Sequence, residues 1–309
     1  MRTLVRSIRE FLAHPGRYLL LTGLPQVPVL VLAALATTLG LAQTPQQVVA
    51  DWDGWLLGLL WRALIAYALF CLASLAFVVG TAAVAVSLAA RQAGEPAEAT
   101  RVWSVVARRL WPLAGSMLIG CLVVLALIAL LCVLFFGPLF LYATLVDPET
   151  GSRFLFDLVA YLEAWTQSPS ARLYLSAVAL LVVLYLFRIL VKWVLAPQVA
   201  VLEGGAPDRV LWRSRELVRG AWWSTLGILL ALMVVQSIVS NLLGAIGGLL
   251  ARSLLEGTIE SLAVGAAALA AQLLMLPLPA IGTTLLYLSL RQHREALTSE
   301  RLAVDLAAR

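Results

Sequence analysis

The chain has 309 residues, of which 62% are hydrophobic and 13% charged. Soluble globular domains are roughly half apolar and about a quarter charged, so a water-soluble fold is excluded and a polytopic membrane protein is predicted. The formal charge of +5 does not indicate nucleic acid, because nucleic-acid binders gather charge on a solvated face and here the charge falls in short blocks between apolar runs.

The first predicted element is an amphipathic helix over Arg2–His14, in which Leu4, Val5, Ile8, Phe11 and Leu12 share one face at helical spacing. A membrane span needs about 20 apolar residues to cross ~30 Å of hydrocarbon. The run Tyr18–Leu41 meets that length, exceeds a signal-peptide core and carries Pro25 and Pro28, so a retained first span is predicted. The second span is Leu57–Ala89. Arg62 lies near its outer end and is expected to snorkel, beside Trp52, Trp55 and Trp61 as an aromatic belt.

A second amphipathic stretch, Pro96–Pro112, follows the turn Gly94-Glu95-Pro96 and places Trp103, Val106, Ala107 and Leu110 on one face. It leads into the third span, Leu113–Leu145, where Pro138 marks an expected kink. Arg153–Trp165 then reads as a short external interfacial helix, with Phe154, Leu155, Leu158, Tyr161 and Leu162 on one face. The fourth span is Leu173–Val201, with a kink expected at Pro197. The third amphipathic stretch, Pro207–Arg219, follows Gly205-Ala206-Pro207 and carries Val210, Leu211, Ser214, Leu217 and Val218 on one face. Spans five and six are Ala221–Ala251 and Ser261–Leu290, the last with kinks expected at Pro277 and Pro279.

These elements recur. A shift of 111 residues superimposes Gly94-Glu95-Pro96 on Gly205-Ala206-Pro207, Arg108 on Arg219 and Trp111 on Trp222. A shift of 206 superimposes the apolar face of the first amphipathic stretch on that of the third. The predicted fold is therefore all-α: six transmembrane helices in three hairpins, each preceded by a cytoplasmic amphipathic interfacial helix. The whole chain, 1–309, reads as a single polytopic membrane domain with repeat-like units 1–91, 92–202 and 203–295 and a C-terminal tail 296–309.

Orientation follows from arginine placement. The N-terminus, Arg91–Pro112, Leu202–Gly220 and Arg291–Arg309 hold 16 of the 22 basic residues. The opposite connections hold only Arg153, Arg172 and Arg252, beside eight carboxylates. Both termini are expected to be cytoplasmic, in a bacterial inner membrane.

Chemistry-bearing motifs are sparse. His14 and His293 are far apart, and no metal-ligand cluster, phosphate loop or nucleophile elbow occurs. No cofactor or metal is expected. Cys71, Cys121 and Cys132 lie in apolar runs and read as small buried residues. Gly244–Gly248 has the small-residue spacing of close helix packing. Gln236, Asn241 and Gln272 are candidates for bonds between helices. The sharpest functional candidates are charges in or near a span: Arg188 and Lys192, four apart in span four, with Glu203 after Pro197. They read either as a snorkelling lysine plus an arginine paired inside the bundle, or as an anion or lipid head-group site.

Two segments resemble a known family. Leu202-Glu203-Gly204 leads into Arg213-Ser214-Arg215-Glu216-Leu217-Val218-Arg219-Gly220-Ala221-Trp222-Trp223. This is similar to the "LEG … RSxxLxxGxxW" pattern of the membrane domain of some glycerophosphoryl diester phosphodiesterases and of related stand-alone bacterial multi-pass proteins of unknown function. The stretch Leu285–Glu295 resembles that family's "LLYxDLRxRxE" end, with Leu286, Tyr287, Leu290, Arg291 and Glu295 matching. Ser289 stands where the pattern has an acid, and His293 where it has an arginine. The matched motifs cover about a tenth of the chain. The resemblance implies a membrane domain and not an esterase, since that activity belongs to a separate soluble barrel.

The expected function is a non-catalytic integral membrane protein: a scaffold, regulator or lipid-organising partner of another membrane system. The alternative is a permease for an anionic or lipid-like substrate. Expected partners are membrane lipids and a membrane protein or second copy of the chain.

Overall fold

The computed structural model describes residues 2–38, 52–94, 98–145, 169–254, 256 and 258–295. Every regular element among them is helical: α1 (Arg2–Ala13), α2 (Pro15–Gly23), α3 (Val27–Thr38), α4 (Trp52–Gln92), α5 (Ala99–Arg108), α6 (Leu110–Leu145), α7 (Pro169–Trp193), α8 (Ala196–Leu202), α9 (Pro207–Val218), α10 (Trp222–Leu254), α11 (Thr258–Met275) and α12 (Pro277–Glu295). A 3₁₀ turn, Leu24–Gln26, links α2 to α3.

Six helical segments among the described residues are long and apolar enough to cross a membrane: Pro15–Ala33, Trp61–Gln92, Leu110–Leu134, Arg172–Leu202, Trp222–Leu254 and Ala263–Glu295. This is the architecture of an integral multi-pass membrane protein. The expected external helix at Arg153–Trp165 lies outside the described residues.

Proline sets the breaks. The 3₁₀ turn contains Pro25, α8 begins one residue before Pro197, and α12 begins at Pro277 after a turn at Leu276. Proline has no N–H, so it is tolerated at a helix start and not within a run of i→i−4 bonds. At Pro138 the chain does not break, and α6 continues through Gly137-Pro138 to Leu145.

The chain divides into two compact units, one drawn from Met1–Met117 and Lys192–Arg309 and the other from Leu118–Val191. In the smaller unit, the Tyr174 hydroxyl of α7 donates to the Leu134 carbonyl of α6 at 2.7 Å.

The core of the larger unit forms where α4, α8 and α12 end. Thr81–Ala90 of α4, Gln198–Leu202 of α8 and Ala280–Leu288 of α12 are buried without interruption. Alanines at 82, 83, 85, 89 and 90 allow this close approach. A Cβ on Gly80 would stand 3.0 Å from the Thr22 backbone. Buried hydroxyls return to their own helices, as with Thr22 to the Tyr18 carbonyl at 2.9 Å and Thr284 to the Ala280 carbonyl at 2.8 Å.

The three amphipathic helices pack around this core. α1 lies against α12, α5 against α4, and α9 against α8 and α12. On α9 all five predicted face residues are buried. On α5 the packed residues are Val102 and Val106, so its buried face is turned from the predicted one, and Leu110 is exposed. On α1 the buried residues are Ser7 and Phe11, while Val5 and Leu12 are exposed.

α10 and α11 pack along their length. Gly244, Gly247 and Gly248 face Ala268, Ala267 and Val264, so the small-residue stripe is a helix contact. Asn241 donates to the Ser237 carbonyl of its own helix at 2.7 Å rather than across to another helix. Gln236 is half-buried and Gln272 exposed. None of the three cysteines forms a disulfide, and Cys121 is buried, Cys132 exposed and Cys71 between the two. In a membrane bundle the apolar surround of a thiol is lipid as readily as protein, so the expectation of burial fails for Cys132.

Candidate functional site

The densest polar assembly among the described residues joins the end of α8, the inner edge of α9 and the last two turns of α12. Glu203, just past α8, is its centre. Arg213 Nε donates to Glu203 Oε2 at 2.9 Å. The Tyr287 hydroxyl donates to Glu203 Oε1 at 2.8 Å, and Arg291 Nε stands 3.7 Å from the same oxygen.

Arg213 extends the assembly. Its Nη1 donates to Glu216 Oε2 at 3.1 Å, and its Nη2 donates to Glu295 Oε1. The guanidinium fork suits this three-way role, because its donors are fixed in a plane and each can meet a separate carboxylate. Partial burial by itself lowers the pKa of Arg213, but the hydrogen bond and charge of Glu203, then Glu216 and Glu295, outweigh it and hold the group above the ordinary arginine range.

Arg291 completes the ring. Its Nε donates to Glu295 Oε2 at 2.9 Å, and its Nη1 donates to the Tyr287 hydroxyl at 3.3 Å. The guanidinium carbon is 5.9 Å from the Tyr287 ring centroid, within cation–π range. Arg294 lies outside the ring and caps α9, donating to the Glu216 carbonyl at 2.8 Å and to the Arg219 carbonyl. The Glu216 carbonyl also accepts from the Arg219 N–H at 3.1 Å, so Arg294 adds a second donor at the end of α9.

The backbone has been shaped for this geometry. Gly204 adopts φ +75° immediately after Glu203, and a Cβ there would collide with the Arg109 guanidinium. Gly220 ends the α9 segment at φ +84°. Both are left-handed conformations that favour glycine.

The motif residues therefore converge. Arg213, Tyr287 and Arg291 meet directly with Glu203 and Glu295. Ser214 Oγ donates to the Lys192 carbonyl at 2.8 Å, tying α9 to the end of α7. Leu217 is buried in the α9 face, and Trp223 is exposed. At the departures from the pattern, Ser289 Oγ donates to the Leu286 carbonyl and His293 Nδ1 pairs with the Ser289 carbonyl, both at 2.8 Å.

Of the candidate anion site Arg188, Lys192 and Glu203, the carboxylate lies in this assembly. Both oxygens of Glu203 are engaged by the side chains just named. Arg188 belongs to the 118–191 unit and is exposed, and Lys192 belongs to the larger unit and is half-buried. Leu181, Leu184 and Leu190 of the same helix are exposed as well.

Two clusters were not anticipated. Arg91 Nη1 bonds Glu10 Oε2 at 3.1 Å and the Tyr18 hydroxyl at 3.2 Å, linking α1, α2 and α4. The repeat offset of 206 maps Glu10 onto Glu216 but carries neither Arg91 nor Tyr18 onto a residue of the same type, so no signal for this cluster was legible in the sequence. Deeper, Gln198 Nε2 donates to Thr283 Oγ1 at 2.9 Å, joining α8 to α12. Gln198 Oε1 and Ser87 Oγ are buried without a hydrogen-bond partner among the described residues. These two residues are separated by the repeat offset of 111.

No family model, curated protein or solved structure matches the chain.

Proposed function

We propose that this chain is a non-catalytic integral membrane protein of the bacterial inner membrane that scaffolds, regulates or organises lipid for another membrane system. The closure of the α8–α9–α12 clasp carries this reading. Both oxygens of Glu203 and both oxygens of Glu295 are held by the chain's own donors. A carboxylate held on both oxygens by donors from neighbouring elements has acceptor capacity committed to the fold. It is well suited to fixing helices in place.

The finer architecture belongs to the same proposal: three hairpins, each led by an interfacial helix, with both termini cytoplasmic. The packing order supports it, since α5 and α9 each rest on the helix end that precedes them and α1 rests on the end of α12. Phe11, Val106 and Leu217, which correspond under the offsets of 206 and 111, are all buried. The similarity to the phosphodiesterase-associated membrane domain is part of this reading, and it is supported by the convergence of Arg213, Tyr287, Arg291 and Glu295.

Crosslinking in native membranes followed by purification of the full chain tests the scaffold. A membrane-protein partner or second copy recovered at a fixed ratio is the expected result.

A permease for an anionic or lipid-like substrate is the second reading. It is favoured by the buried polar pair Gln198–Thr283 beside the breaks at Pro197 and Pro277. Transporters form their sites where spans are broken. Anion or lipid flux in proteoliposomes that is lost in Gln198→Leu, in a chain recovered without a partner, would replace the scaffold with this alternative.

A further inference from the structure

The three amphipathic helices differ in what they leave uncovered. Val5 and Leu12 of α1 are 62% and 69% exposed. Leu211 and Val218 of α9, which correspond to them under the offset of 206, are 8% and 1% exposed. The α5 positions that correspond are Thr100 and Ala107, which present no large apolar group. Thus α1 keeps an apolar edge that α9 buries against α8 and α12 and that α5 lacks.

Arginines border that edge. At 3.6 residues per turn, Val5, Arg9 and Leu12 fall within ~60° of one another, with Arg6 a further ~60° round. Ser7 and Phe11 lie on the opposite side, packed in the protein. Around the helix the order is protein contact, apolar edge, then arginine. Arg6 and Arg9 are exposed and form no ion pair with a described residue. Their side chains therefore remain available to an anion.

The tether selects the occupant. Only His14 separates α1 from α2, which opens the first candidate span Pro15–Ala33. A helix of 12 residues is about 18 Å long. Val5 and Leu12 are therefore held beside the bilayer surface that the next helix enters.

We infer that α1 docks on an anionic bilayer surface, with Val5 and Leu12 at the boundary between head groups and acyl chains and Arg6 and Arg9 on lipid phosphates. The inference rests on the multi-pass membrane reading and narrows its lipid contact to one helix and one head-group charge. α5 and α9 do not expose this pair of positions as large apolar groups, and the large apolar residue that α9 exposes is Trp212. Two arginines near an anionic surface correspond to about a thirtyfold preference for the docked state.

The test uses the full chain with Cys71, Cys121 and Cys132 replaced by alanine and a fluorophore on Leu12→Cys or Leu24→Cys. Each is placed in nanodiscs of phosphatidylcholine alone or mixed with phosphatidylglycerol, containing a lipid with a nitroxide near its head group. The Leu12 label is expected to be quenched by the nitroxide lipid, more strongly with phosphatidylglycerol, and Arg6→Gln/Arg9→Gln should remove that dependence. Quenching of Leu12 by aqueous iodide instead would overturn the inference. So would protection from both quenchers, which would mean that protein covers the edge, or lipid quenching indifferent to phosphatidylglycerol. The Leu24 label separates the two levels. If Leu24 is quenched by lipid and Leu12 is not, only the docking of α1 fails; if neither is, the membrane reading fails with it.

Discussion

Tyr287 and Glu203 are 84 positions apart in the chain, and the tyrosine hydroxyl meets the carboxylate at 2.8 Å. The same hydroxyl accepts from Arg291, so one oxygen couples an acid and a base from two elements. Tyr287→Phe keeps the ring and removes only this coupling. A loss of about 1–2 kcal/mol is expected, in the range of a hydrogen bond to a charged group. Denaturant unfolding in detergent measures it. In a double-mutant cycle with Glu203→Gln the two effects should be non-additive, and simple additivity would show that the bond contributes nothing.

Arg213 binds three carboxylates, so its loss leaves Glu203, Glu216 and Glu295 without their shared partner. Arg213→Ala should cost on the order of 2–3 kcal/mol, and Arg213→Lys should recover only part, because an ammonium cannot reproduce the planar fork. Thermal unfolding of the three proteins in one detergent checks this, and equal midpoints would remove the clasp from the stability of the fold. The pH sign is also defined. A basic group whose folded pKa is raised contributes fully below its ordinary pKa and loses that contribution only as pH rises through the raised value. Since Arg213 is held above the arginine range, its contribution should be constant across neutral and mildly alkaline pH.

Gly204 combines a left-handed backbone with contact against Arg109. Gly204→Ala should destabilise by about 1–3 kcal/mol through strain and crowding. Adding Arg109→Ala relieves the crowding but leaves the φ of +75°, so recovery should be incomplete. Full recovery would assign the whole effect to the side-chain clash.

Topology reporters test orientation. Fusions at Thr44, Gly151 and Gly257 should report the periplasm, and one after Arg309 the cytoplasm. A cytoplasmic signal at Gly151 would overturn the alternation of six spans.

Much of the architecture was legible in the sequence because it depends on local physics. Apolar length alone identifies six membrane-crossing segments, since any backbone in hydrocarbon must satisfy its own hydrogen bonds within a helix. Pro197 and Pro277 mark breaks because a missing N–H is a property of the residue. The buried face of α9 follows from helical periodicity. Arg213, Tyr287 and Arg291 were singled out by motif, but nothing in their spacing states that they meet around Glu203. That juxtaposition required α8, α9 and α12 to fold onto one another across more than 80 positions. Tertiary structure alone decided which amphipathic face would be covered by protein. Val5 and Leu211 occupy matching positions with matching chemistry, yet one is exposed and the other buried. Periodicity specifies which residues share a face, and only packing specifies what that face meets.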